Sequence, residues 1–339
     1  MRARARAWLV VTATVLLVGC TAPGASPPRA QTSATTIAGV GSALPAGSQR
    51  IVGLTQPFGV ATEKGDAWVT EYQAGNLVRI DASSNRIIAR VHVGPHASHV
   101  VIQGGIAWVV DDLGGTVIGV DTETGRVVKK IPLRADAALR PNAIASDAGS
   151  VWVTMGLSTE YPAYASAPPS ELVGFVPRSN ELSTTSLSGV LAGVVVGGGA
   201  VWVASVLDPA TIYRIDPATK RLVASIETGH PVSGAIVYLN PDLWVANRDG
   251  YLTRIDSRTN QVVGNFEVGS PEWPALVAEG NAIWISAPLD NIVARFDPGT
   301  GTVTRTVRAG TRPQEFAFLG NDLWVTNYMD GTVAKLPIN

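Results

Sequence analysis

The chain has a single cysteine, Cys20, in 339 residues. No intramolecular disulfide can therefore brace the fold, and a large core must suffice. It has no run of like charge and no basic stripe, and its formal net charge is −1, which argues against nucleic acid as the natural partner. The apolar run at residues 7–18 is too short for a comfortable membrane span. There are only four histidines, His92, His96, His99 and His230. The chain has no His-Glu-x-x-His metal motif, no phosphate-binding glycine loop and no nucleophile elbow. The motif-bearing enzyme classes are thereby left without support, and the architecture has to carry the reading.

What the chain does have is a repeat. Trp-Val, or once Trp-Ile, recurs at Trp68, Trp108, Trp152, Trp202, Trp244, Trp284 and Trp324, with gaps of 40, 44, 50, 42, 40 and 40 residues. Such a period marks one supersecondary unit copied along the chain. Each copy holds four short runs rich in β-branched residues, separated by Gly, Asn and Asp, here termed strands A to D. The spacing predicts an all-β, seven-bladed β-propeller of four-stranded antiparallel blades. The C-to-D links open with Asp81, Asp121, Asp216, Asp256 and Asp297. Asp bonds its own backbone two residues on, so these read as turn formers. The repeated tryptophans read as anchors packed between blades. The last copy lacks a strand D, while Arg-Ile-Val-Gly-Leu at 50–54 is a spare one. This N-terminal segment is expected to supply the outer strand of the last blade, closing the ring and leaving no unpaired edge.

The N-terminus, with Arg2, Arg4 and Arg6 before the apolar run, reads as a secretory signal. The arginines are not adjacent, which counts against the twin-arginine route. The run ends Leu17-Val18-Gly19-Cys20, which resembles the bacterial lipoprotein box. That resemblance implies a signal peptide at 1–19, acylation of Cys20 and a place on the outer face of the cell membrane. Two acyl chains suffice for stable anchoring. Loss of the signal takes the formal charge from −1 to −4. Residues 21–48, rich in Ala, Ser, Thr, Gly and Pro, read as a linker spanning roughly 30 Å as a coil and at most about 95 Å when stretched. The expected division is 1–19 signal, 20–48 lipidated Cys and linker, and 49–339 propeller.

In a propeller, strand A lines the central channel, and the D-to-A and B-to-C loops share one face, the mouth. Three residues after each Trp come Glu71, Asp111, Met155, Ser205, Asn247, Ala287 and Asn327; nine before come Gly59, His99, Ala143, Gly193, Ala235, Ala275 and Glu315. The strand starts add His96, Asn142 and Gln314. Glu71, His99 and Asp111, on blades 1 and 2, form the candidate catalytic or metal set, with Mg or Ca as the cation. Asn142, Asn247, Gln314, Glu315 and Asn327 are the remaining candidates for a polar ligand; the alternative is a solvated rim. Two further features stand out. Residues 155–170, between strands B and C of blade 3, form a long insertion with Tyr161 and Tyr164, read as a lid or as a tolerated surface insertion. Trp273 lies in a loop outside the Trp series and reads as a plug or a partner contact.

The segments Trp324-Val-Thr-Asn and Trp244-Val-Ala-Asn resemble the signature of YVTN-type β-propeller repeats, a likeness running from about residue 50 to the C-terminus. It implies seven blades but no single activity. Trp68-Val-Thr-Glu, with Asn76 and Arg79-Ile-Asp, resembles the repeats of virginiamycin B lyase. That likeness implies metal-dependent ring-opening by elimination, with Glu71, His99 and Asp111 nearest to such a set. The main expectation is a monomeric, lipid-anchored propeller that binds a protein or cell-envelope ligand at the mouth. A metal-dependent lyase or lactonase and an inert envelope scaffold are the alternatives.

Overall fold

The computed structural model describes residues 44–133, 139–147, 149–157, 169–179, 181–206, 209–269 and 275–338. Strand β1 (Gln49–Ile51) comes first. Blade 1 is β2 (Pro57–Glu63), β3 (Asp66–Glu71), β4 (Asn76–Asp81) and β5 (Arg86–His92); blade 2 is β6 (Ala97–Gln103), β7 (Ile106–Asp111), β8 (Thr116–Asp121) and β9 (Val127–Pro132). Blade 3 is β10 (Leu139–Ser146), β11 (Val151–Leu157), β12 (Ser170–Phe175) and β13 (Leu182–Leu187); blade 4 is β14 (Leu191–Gly197), β15 (Ala200–Ser205), β16 (Thr211–Ile215) and β17 (Leu222–Glu227). Blade 5 is β18 (Val232–Leu239), β19 (Asp242–Asn247), β20 (Tyr251–Asp256) and β21 (Gln261–Glu267); blade 6 is β22 (Leu276–Glu279), β23 (Ala282–Ala287), β24 (Ile292–Asp297) and β25 (Thr302–Arg308). Blade 7 is β26 (Pro313–Leu319), β27 (Asp322–Asn327) and β28 (Thr332–Pro337), completed by β1.

Each sheet is four-stranded and antiparallel, a simple meander in blades 1 to 6. Each inner strand touches the inner strands of both neighbouring blades, and β26 touches β2. The seven sheets therefore close into a ring around a channel. Closure uses the first strand as expected, one residue earlier than the sequence suggested: Gln49, Arg50 and Ile51 pair with Lys335, Ala334 and Val333. Leu54 N–H then donates to Gly331 O at 3.3 Å, which ties the end of this segment to the B-to-C turn of blade 7.

The core is seven interface clusters, not one mass. The seven repeat tryptophans are at most 2% exposed. Each packs on the next blade: Trp68 on Val100, Val109 and Ile118; Trp108 on Val151, Val153 and Phe175; Trp324 across the closure on Val60, Val69 and Val78. The residue opposite each Trp on strand C suits this. It is Arg79, Arg214, Arg254, Arg295 or Lys335, and four of these cations lie over their indole at 5.1–5.7 Å from the ring centroid, which stabilises a partly exposed pair. Elsewhere it is Gly119 or Gly174, where a Cβ would stand 2.9 or 2.6 Å from the Trp ring.

The repeated aspartates form the C-to-D turns. Asp216 Oδ1 accepts from the N–H groups of Ala218 and Thr219, both at 2.8 Å, and Asp297 Oδ1 from those of Gly299 at 2.7 Å and Thr300 at 3.2 Å. Hydrogen bonds led by the Ser84 hydroxyl hold Asp81 down to about 2, and those led by Arg258 do the same for Asp256. One boundary moves: β11 continues to Leu157, and Met155 pairs with both Pro141 and Glu171. The insertion in blade 3 is therefore shorter than 155–170. Tyr161, Tyr164, Trp273 and Cys20 lie outside the described residues.

Candidate functional site

Among the described residues, six of the seven inner strands carry a register shift near the channel mouth, for example between Pro57 and Val60, Ala97 and Val100, and Pro313 and Phe316. A bulge leaves a residue unpaired and re-aims its neighbours. Here the freed amides are met by hydroxyls from strand B. Gly59 N–H donates to Thr70 Oγ1 at 2.7 Å, Ala143 N–H to Thr154 Oγ1 at 3.0 Å and Glu315 N–H to Thr326 Oγ1 at 3.0 Å. Thr70 and Thr326 pass the bond on to the next blade, to Ser98 O and Phe58 O. The threonines two residues after Trp thus fix the geometry of the channel wall.

At these bulges lies a cavity of about 380 Å³, within the usual range of small-molecule sites. One side carries Phe58, His99, Asn142, Gln314 and Glu315; the other is backbone with small and aliphatic side chains, among them Gly193, Gly234, Ala235, Ala275, Ile236 and Leu276. The small residues are dictated by packing first, since a Cβ on Gly193 would stand 1.8 Å from Gly234 O of the next inner strand. His99 Nε2 meets Glu315 Oε1 at 3.1 Å, and Phe58, from the intervening blade, packs edge-on to the His99 ring at 5.1 Å. Burial works against a charged imidazole, yet the charge and hydrogen bond of Glu315, aided by Asp112, carry the His99 pKa above its ordinary value. The Asn142 backbone also favours the charged ring, although Nδ1 is buried without a hydrogen bond of ordinary geometry.

Because the folded pKa is raised, this pair stabilises the fold fully below the ordinary His value and loses that effect as pH climbs through the folded value. Glu315→Gln is expected to lower the His99 pKa, as read from its ring-proton shifts in an NMR titration. An unchanged midpoint would remove Glu315 as the cause.

Above the cavity stands a rim that the sequence spacing placed one residue away. Trp, Trp+2 and Trp+4 share a strand face. On blade 1 these are Trp68, Thr70 and Tyr72, all turned to blade 2. Tyr72 stacks on His96 at 4.8 Å and donates its hydroxyl to Asp112 Oδ2 at 2.9 Å, while His96 Nδ1 lies 3.4 Å from Asp112 Oδ1. Burial, then Asp112, pushes the Tyr72 phenol up; burial also pushes Asp112 up, against the opposing pull of the Tyr72 hydrogen bond and His96. Phe58, Tyr72 and Tyr328 form an aromatic triangle with centroids 5.7–6.4 Å apart. Tyr72, Asp112 and Tyr328 are missing from the sequence-based set. The signal that finds them is the period of two counted from Trp.

The residues three after Trp face the other way and are buried. Glu71 accepts from Thr55 N–H and the Asn76 amide, both at 2.9 Å, and meets Arg90 at 3.5 Å. Asp111 accepts from His96 N–H at 3.2 Å and Gly114 N–H at 2.9 Å. Asn247 donates to Thr253 at 2.8 Å and Asn327 to Thr332 at 3.1 Å. Each ties the end of strand B to a loop or to strand C of its own blade, and at two of them glycines make room: a Cβ on Gly94 would stand 2.2 Å from Asp111, and one on Gly310 2.3 Å from Asn327. The structure therefore does not bring Glu71, His99 and Asp111 together. Their carboxylates are committed to loop amides, so the three do not fit a shared Mg or Ca site, and among the described residues no group of three or more His, Cys, Asp or Glu is placed to hold a metal. Of the sequence-based candidates, His99, Asn142, Gln314 and Glu315 line one cavity.

No known protein family matches the chain, and no curated protein resembles it in sequence. Solved structures do resemble it. Hydrazine synthase of Kuenenia stuttgartiensis aligns with a TM-score of 0.71 at 14% identity, over 84% of this chain and 96% of that one. The computationally designed Ika8 protein aligns at 0.61 and 14%, over 85% and 98%. BamB from Moraxella catarrhalis aligns at 0.57 and 15%, over 84% of each. What is shared is the β-propeller fold. An enzyme and a designed protein stand side by side among these neighbours, so the propeller alone assigns no activity, and the site has to.

Proposed function

We propose that the chain is an exported lipoprotein whose propeller binds a protein or cell-envelope ligand at the mouth face. The observation that carries this is the mouth cavity, where His99, Asn142, Gln314 and Glu315 from three blades meet under a rim of Tyr72, Asp112 and Tyr328. A concave site with a few convergent polar groups is the default place for a ligand. The chain path supports this choice of face. Leu44 packs in the same cluster as Ile338, whose N–H donates to Asn321 O at 3.1 Å. Asn321 lies in the A-to-B turn of blade 7, on the face opposite the mouth. The first described residues thus enter the ring at the far face rather than at the mouth.

Cys20→Ala is expected to move the protein out of the membrane fraction or leave its signal attached. Normal processing with continued membrane fractionation would refute the lipid anchor. A lyase or lactonase remains the second reading, and it rests on one observation: a histidine–carboxylate pair, His99 with Glu315, stands in the cavity wall at 3.1 Å, within reach for proton transfer.

A further inference from the structure

We infer that the mouth cavity is a subsite for an uncharged sugar ring, so that the envelope ligand is a neutral glycan. This rests on the reading of the mouth as the binding face and narrows it to one chemistry.

Among the described residues, the cavity walls hold one ionisable pair, His99 and Glu315, and the two face each other at 3.1 Å. Each group is the other's partner, so neither is presented to a guest as a lone charge. A charged guest would give up its hydration without finding an uncompensated counter-charge, which is costly. An apolar guest fits no better, since the same walls present two side-chain amides, Asn142 and Gln314, together with the ion pair. An amide offers both donors and an acceptor, which matches a hydroxyl that must donate and accept at once.

Two further features suit a saturated ring carrying hydroxyls. Phe58 gives the polar wall an apolar aromatic surface against which ring C–H groups can pack. The opposite wall is backbone and small side chains at Gly193, Gly234 and Ala235 with aliphatic Ile236 and Leu276 beside them, so the C–H face of a sugar ring can lie against it. Above, Tyr72 and Tyr328 continue the aromatic surface from Phe58 to the rim, which leaves room for a second unit of a chain. A buried polar site of this kind discriminates strongly against ligands that lack its hydrogen-bonding groups.

The test is ligand-observed NMR and calorimetry on the lipid-free propeller with cellobiose and N,N′-diacetylchitobiose, set against glucuronate, glucosamine and triglycine. Saturable binding of a neutral disaccharide is expected, insensitive to salt because no ion pair forms with the ligand. Phe58→Ala should weaken it about tenfold or more. Gln314→Ala, a change in the cavity wall that leaves the ring's interface clusters alone, should weaken it too, and Ser84→Ala on the opposite face should not. Absence of binding by both disaccharides to folded protein overturns the inference, as does tighter binding of the acid, the amine or the peptide. Failure here leaves the mouth as a binding face open to the separate cross-linking test that closes the Discussion; failure of both removes the site itself.

Discussion

Deleting residues 44–54 is expected to open the ring. The segment supplies the outer strand of blade 7, with Ile51 and Leu54 4% and 7% exposed in the cluster around Trp324. Burial of two aliphatic side chains contributes about 1.5–3 kcal/mol each, and the lost ladder bonds about 1 kcal/mol each. The sum is comparable with the 5–15 kcal/mol that stabilises an ordinary domain. The deletion also exposes the edge of β28, a template for pairing with other chains. Circular dichroism melting and size-exclusion chromatography should report a large fall in melting temperature or outright aggregation. A shortened protein that stays monomeric and melts like the full propeller would show that β1 does not close the ring.

The second large effect is at the same seam. Trp324 is fully buried and belongs to blade 7, yet its neighbours Val60, Val69, Val78 and Ile80 are on blade 1. Trp324→Ala leaves a cavity between the first and last blades and should cost about 3–5 kcal/mol. Loss of the Lys335 contact over the ring, at 5.7 Å, adds at most about 1 kcal/mol. Urea unfolding measures the change through the shift of the midpoint at constant slope. A loss below about 1 kcal/mol would mean that the tryptophans do not hold blade to blade.

The fold was legible because its largest side chain recurs at a fixed place in every copy. Trp fills the interface to the next blade, and Asp opens the C-to-D turn, so packing and turn chemistry both repeat at the period of the blade. The spare strand at the N-terminus was legible for the same reason, as a piece of one repeat found ahead of the first. The mouth was only half legible. His99, Asn142, Gln314 and Glu315 sit on the inner strands, where bulges turn them to the channel, and their polarity in an otherwise small-residue series betrays them. Glu71, Asp111, Asn247 and Asn327 are polar for another reason: each hydrogen-bonds within its own blade, to a loop or to strand C. Polarity at the end of strand B therefore pointed to the buried residue of each pair. Tyr72, Asp112 and Tyr328 lie one position later, on the face that Trp itself marks. A shift of one residue reverses the face of a strand, and no composition signal corrects it.

The most direct test of the central claim is photo-cross-linking from both faces of the anchored protein in intact cells. A photoreactive residue would replace Met329 or Leu113, which are 61% and 45% exposed on B-to-C turns of the mouth, or Ser84 or Arg258 in exposed C-to-D turns of the far face. The account predicts adducts from Met329 and Leu113 that disappear in the Phe58→Ala background, and none from Ser84 or Arg258. Adducts confined to the far-face positions, or mouth adducts indifferent to Phe58, would contradict it.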